Sequence, residues 1–202
     1  MTEREISFVA PDVSQLKALA HPVRMRMLGM LRLDGPATAT QLAQRLGLNS
    51  GATSYHLRQL AQHGYIEEDG ERGNKRDRWW RASHESTHLG AAKRPESPAD
   101  RDAIEAFWQA LAIAHLDTLS AGMREHAELP DAWAEVSDSS DWAIWLTPDQ
   151  ADELLTKVHA VLDETLHRAP ADADDAPADA EQFLIQVHGF PRPGRVVGGH
   201  RP

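Results

Sequence analysis

The sequence predicts a mainly α chain with a small β part, arranged as two small domains. Three observations predict this. Apolar residues recur at helical spacing in punctuated runs between Leu16 and Leu60, a strand, polar tip and strand follow at about residues 65–82, and the linker KRPESPADRD leads into a second set of elements. The expected domains are residues 1–94 and 95–202, the second ending in a disordered tail.

Composition narrows the function classes. An apolar content of 41% with 26% charged residues is ordinary for a soluble globular protein. The start MTEREISFVA lacks the basic and long apolar stretches of a signal peptide, and no apolar run approaches membrane-spanning length, so a cytoplasmic protein with no membrane partner is expected. The absence of cysteine excludes disulfides, thiolate metal sites and cysteine nucleophiles. The net charge of -10 is unevenly spread. Residues 1–94 carry 14 Lys or Arg against 10 Asp or Glu, whereas residues 95–202 carry 7 against 21. Only the first part is therefore suited to approach a phosphate backbone.

The elements follow in order. VSQLKALAHPVRMRMLGMLRLDG reads as two helices broken at Pro22, which suits the first turn of the second helix because a missing N–H costs nothing there. Gly35 and Pro36 stop that helix. Thr38 and Gln41 form a capping-box pattern at the start of a short helix with Leu42, Ala43 and Leu46 as its apolar stripe, closed by Gly47. After a tight turn, Asn49 or Ser50 caps a further helix of about residues 50–63, and Gly64 takes the left-handed position after it. Two helices joined in this way make a helix-turn-helix.

The helix from Ser50 has two faces. Ala52, Thr53, His56, Leu57 and Leu60 share the inward one, while Ser50, Gly51, Ser54, Tyr55 and Arg58 repeat the same spacing outward, with Gln59 beside them. Small residues at the N-terminal end let a helix sink close to a partner surface, and its donors and positive dipole end suit phosphates and base edges. The alternative is an ordinary solvated face. The hairpin of about residues 65–82 carries Arg72, Lys75 and Arg76 near its tip. Such a tip either follows a nucleic-acid backbone or the adjacent minor groove, or protects an edge strand from aggregation. Trp79 and Trp80 point to opposite faces of their strand, so at least one packs inward.

The blocks LKALAHPVRMRMLGML, ATQLAQRLGL, TSYHLRQLAQHGYIEED and RDRWWRAS resemble the winged helix-turn-helix of ArsR-family transcriptional regulators over roughly residues 13–84. The resemblance implies that the helix from Ser50 is a recognition helix, that the hairpin is the wing, and that a homodimer reads double-stranded DNA at an operator with two-fold symmetry. The chain departs from the family's arsenic, lead and cadmium sensors in having no cysteine near the helix at Pro22.

Beyond the linker, Ser97 caps a long helix with Pro98 at its first position and Asp100 in its first turn. It is expected to reach about Glu128, with Ile104, Phe107, Trp108, Leu111, His115, Thr118 and Gly122 on one stripe and Leu116, Leu119 and Met123 widening it. In the family a helix in this position helps to form the dimer. His115 and His126 match the spacing of histidines in the family's zinc and cobalt sensors, but Ile113 and Leu129 stand where those sensors have acids. The set is incomplete, and no metal or other cofactor is expected.

The remaining elements are a strand at DWAIWLT, a helix with a Thr147 and Gln150 start and a stripe through Leu154, Leu155, Val158, Leu162 and Leu166, and a second strand at EQFLIQVHGF. Between the last two lies APADADDAPADA, too polar and proline-rich to fold alone. A small α/β C-terminal unit is expected, pairing across a dimer or lying against the long helix. Its neighbourhood holds Trp108, Trp133, Trp142 and Trp145, which either form core or line a pocket for a small-molecule effector. No GxGxxG, P-loop, HExxH or GxSxG pattern occurs, so no enzymatic role is expected. The leading expectation is a dimeric DNA-binding repressor. The alternatives are a protein-interaction module built on a winged helix and a metal-responsive sensor using His115 and His126.

Overall fold

The computed structural model describes residues 7–72, 77–87, 97–170 and 175–196. They fall into two compact units, one of Ser7–Ser137 and one from Asp138 onward.

In the first unit, strand β1 (Phe8–Val9) leads to α1 (Val13–Leu19). Asp12 accepts from the Gln15 N–H at 2.8 Å and Gln15 Oε1 accepts from the Asp12 N–H at 3.0 Å, a reciprocal cap. Next comes α2 (Pro22–Leu33), with proline at its first position as expected. Strand β2 (Ala37–Thr38) runs directly into α3 (Ala39–Leu46), and α4 (Ser50–Gln62) follows. The hairpin is β3 (Ile66–Glu68) and β4 (Trp79–Ala82), and β5 (Ser86–Thr87) lies beyond it. After α5 (Pro98–Glu125) come a 3-10 turn at His126–Glu128 and α6 (Asp131–Val136).

The sheet order is β2-β4-β3, antiparallel throughout, with Ala37 opposite Trp80 and Glu67 opposite Arg81. Trp80 is thereby buried on the core side while Trp79 is half-buried, as their opposite facing requires. Separately, β1 and β5 pair in parallel. Arg32 donates Nε to the His84 carbonyl at 2.9 Å and Nη2 to Thr87 Oγ1 at 3.0 Å, tying α2 to the chain that leaves the hairpin. Burial lowers its pKa to about 10, so it stays charged.

The core gathers Leu19 of α1, Met27 and Leu28 of α2, Leu42 of α3, Leu57 and Leu60 of α4, and Phe107 of α5, each at most 2% exposed. Helix α5 packs on α1 and α2 through Ala103, Phe107 and Ala110, so the packed body continues past residue 94. Farther along α5 the expected apolar stripe faces outward, with Leu116 at 62% and Met123 at 57% exposure.

The second unit is built on α7 (Pro148–Arg168), which starts at the expected Thr147 and Gln150 capping box. Ala151, Leu155, Val158 and Leu162 make a half-buried stripe, and a Cβ on Gly189 would lie 3.0 Å from Leu155, so the chain there runs close against α7. The segments expected as strands, 141–147 and 181–190, form no ladder among the described residues. An apolar run becomes a strand only where it pairs with another backbone edge, and neither segment does so among the described residues. Of the two alternatives for the tryptophans, core or pocket lining, Trp142 and Trp145 do not form a core. Trp142 is 77% and Trp145 is 93% exposed, and no described residue of this unit is buried. Among the described residues no helix is long and apolar enough to cross a membrane.

Candidate nucleic-acid interface

The turn between α3 and α4 is set locally. Gly47 adopts φ +65°, where a side chain would be strained, and the Leu48 N–H returns to the Ala43 carbonyl at 2.9 Å. Asn49 then accepts the Ala52 N–H at 2.8 Å as the cap of α4. Thr53, though polar, is fully buried because its hydroxyl donates to the Asn49 carbonyl at 3.0 Å. With Leu57 and Leu60 also at 0% exposure, α4 is held along its whole inner face.

That fixes what its outer face presents. Ser50, Gly51, Tyr55 and Arg58 are exposed, with Tyr55 at 56%, and Ser54 and Gln59 are half-exposed beside them. The first-turn backbone N–H groups left over by the Asn49 cap and the positive end of the helix dipole lie at the same end as the small residues. His56, assigned inward by periodicity, is half-buried and stacks on His21, the cap of α2, with ring centroids 4.6 Å apart. Tyr55 meets the same ring edge-on at 5.6 Å.

The hairpin is less basic than its tip suggests. Asp69, only 6% exposed, accepts the backbone N–H groups of Glu71 and Arg72 at 3.2 and 3.4 Å, and Arg72 Nε lies 3.6 Å from its carboxylate. Arg81 pairs with Glu67 across the strands at 2.9 Å, and Arg78 pairs with Glu68 at 3.1 Å. Lys75 and Arg76 lie outside the described residues. Arg78 was not singled out from the sequence. It immediately precedes β4 on the tip side of the hairpin, 5.7 Å from the centre of the Trp80 ring, and the flanking arginines of RDRWWR were the available signal.

His115 is half-buried midway along α5 and His126 opens the 3-10 turn. Among the described residues no three His, Asp or Glu side chains converge as a metal site.

A family model described as "Helix-turn-helix domain" matches residues 19–69, from the end of α1 through β3. Among solved structures, one described as "Possible transcriptional regulator for arsenical resistance" is 27% identical, covers 54% of this chain and 94% of its own, and superimposes with a TM-score of 0.31. The C30AH42A mutant of ZitR from Lactococcus lactis, in its apo form, is 15% identical over 73% of this chain and 83% of its own, with a TM-score of 0.32. No curated protein matches the chain. Sequence and geometry agree on a winged helix-turn-helix fold.

Proposed function

We propose that this chain is a homodimeric, sequence-specific DNA-binding transcriptional regulator, similar to the ArsR family and acting as a repressor. Helix α4 enters the major groove with Ser50, Gly51, Ser54, Tyr55, Arg58 and Gln59 toward base edges and phosphates. The wing follows the backbone or the adjacent minor groove through Arg72, Lys75 and Arg76. One observation carries this reading. A face with Ser50 and Gly51 in its first turn and Tyr55 and Arg58 farther along is exposed on a helix whose opposite side is anchored by Thr53, Leu57 and Leu60 at 0% exposure. The helix-turn-helix match and the positive balance of residues 1–94 support it.

The second copy covers the outward half of α5, where Ile113, Leu116, Leu119 and Met123 are exposed, and the uncovered apolar side chains of the C-terminal unit. That unit also supplies the effector side of the regulator. Trp142 and Trp145 offer indole faces to a small apolar or aromatic molecule whose binding releases the operator.

Salt decides between this reading and a protein-docking winged helix. Affinity for a duplex selected from a random-sequence pool must fall steeply as salt rises, because each phosphate contact releases counterions. Arg58→Ala is expected to cost about 1–3 kcal/mol and relax one base position, whereas Arg72→Ala weakens binding to all sequences alike. Unchanged affinity of Arg58→Ala in a gel-shift titration would overturn the assigned face.

A further inference from the structure

We propose that His21 and His56 act together as positioning residues for the recognition helix, and that protonation of this pair loosens α4 from its DNA-reading pose. The inference rests on the DNA-binding reading above.

His21 precedes α2 with extended backbone (φ -146°, ψ 119°), and its Nδ1 accepts the Val23 N–H at 3.2 Å. Only an unprotonated Nδ1 can accept, so the cap defines a neutral ring with its proton on Nε2. The ring lies against His56 of α4, centroids 4.6 Å apart and planes inclined at 50°. His56 Nδ1 is buried without a hydrogen-bond partner, so the stack, not a polar bond, fixes that ring. Tyr55, on the DNA-facing side, rests its ring on the edge of the same imidazole. The contact thus links the corner between α1 and α2 to a side chain that the reading assigns to the groove.

The surrounding charges oppose a proton on either ring. Arg24 of α2 closes the end of α1 by donating Nε to the Ala18 carbonyl and Nη2 to the Lys17 carbonyl at 3.1 Å, and its cation acts on both histidines. From α1, the Lys17 ammonium is turned to Asp100 of α5 at 3.4 Å. From α4, Tyr55 contributes its ring and Arg58 is exposed on the outer face. Among the described residues, the titratable groups acting on the two rings are Arg24 and, on His56, also His21. Burial and then Arg24 lower the pKa of His21 below its ordinary value, and burial, His21 and Arg24 in turn lower that of His56. Both are neutral at pH 7. A proton on His21 would convert the cap into a donor facing a donor, and would place a cation at the positive end of the α2 dipole and beside Arg24.

The sign follows. Below the ordinary histidine range, near pH 6.5, the unfolded chain binds more protons than the folded one, so the pair's contribution to stability is complete above that pH and is lost as pH falls. Acidification alone strengthens DNA binding by adding positive charge, so the pair predicts the opposite trend.

The test is duplex affinity measured between about pH 7.5 and 5.5. The duplex is one selected from a random-sequence pool at the upper pH, and the full chain is compared with His21→Asn/His56→Phe. Asparagine keeps the cap and phenylalanine keeps the ring contact, and neither titrates. Wild-type affinity is expected to fall about tenfold, within the usual range for coupling between two linked sites, and the double variant to stay level or bind tighter. Wild-type affinity that holds or rises on acidification overturns the proposal, as does a double variant that falls equally. Should the variant not fold, imidazole NMR of the wild type decides. Both rings must titrate below the ordinary histidine value near about 6.5, and either titrating at or above it sinks the idea. If no duplex is selected at all, the DNA reading fails, while the ring titration still tests the pair.

Discussion

Helices α4 and α7 begin alike and end differently. Each starts at a side-chain cap, Asn49 to the Ala52 N–H at 2.8 Å and Thr147 to the Gln150 N–H at 3.3 Å, and each carries an apolar stripe at helical spacing. Yet α4 buries Thr53, Leu57 and Leu60 completely, whereas α7 buries none of its residues. Capping and periodicity make a helix, but burial is a property of its neighbours. Helix α4 is enclosed by α1, α2, α3 and β3, and each enclosed leucine contributes about 1.5–3 kcal/mol. Helix α7 has the chain at Gly189 beside it within its unit, while Phe183, Ile185 and Phe190 remain more than half exposed. An uncovered apolar side of this kind is what the proposed second copy would cover.

The comparison breaks most readily at its largest expected effect. Leu57→Ala should cost about 2–5 kcal/mol in denaturant unfolding, because the surrounding elements cannot collapse into the space left. Leu154→Ala, at a site on α7 that is 41% exposed, should cost less than about 1 kcal/mol in a dilute sample. Equal losses would mean that α7 is held as firmly as α4. A second test addresses association directly. Replacing Trp142 and Trp145 together by serine should weaken the proposed homodimer by about 2 kcal/mol or more, read as a shift toward monomer mass in light scattering, with helix content kept. A dimer of unchanged strength would remove this unit from the interface.

The contrast between the helices also explains which features were legible. The capping boxes at Thr38 and Gln41 and at Thr147 and Gln150, and the left-handed glycines Gly47 and Gly64 at φ +65° and +75°, involve only residues close in the chain, so spacing and residue type disclose them. The outward face of α4 was legible for the same reason, through helical periodicity. Strand β2 was not, since two residues carry no pattern and Ala37 finds its partner at Trp80, far along the chain. The apparent strands at 141–147 and 181–190 were misread because a short aromatic and aliphatic run records which side chains favour burial, not whether the backbone pairs with an edge. On the wing, the pairing of Arg81 with Glu67 and of Arg78 with Glu68 depends on strand register, so the sequence showed its charge without showing how much was already compensated.

The smallest expected effect tests the outer face of α4 most selectively. Gly51 is not among the glycines with positive φ, and a Cβ there would meet Asn49 Oδ1 at 3.4 Å, an ordinary contact. Nothing in the fold requires a glycine in this first turn, and alanine should stabilise the helix by about 0.5–1 kcal/mol. The added methyl points to the side by which α4 is proposed to approach DNA. Gly51→Ala is therefore expected to raise the unfolding midpoint while lowering duplex affinity by about 1 kcal/mol, measured by denaturant titration and gel shift on the same preparation. Opposite signs in the two measurements would separate the contact surface from the scaffold at one residue. A gain in stability with unchanged affinity would mean that the first turn of α4 stands clear of the groove, and the approach would then have to be made farther along, through Tyr55 and Arg58.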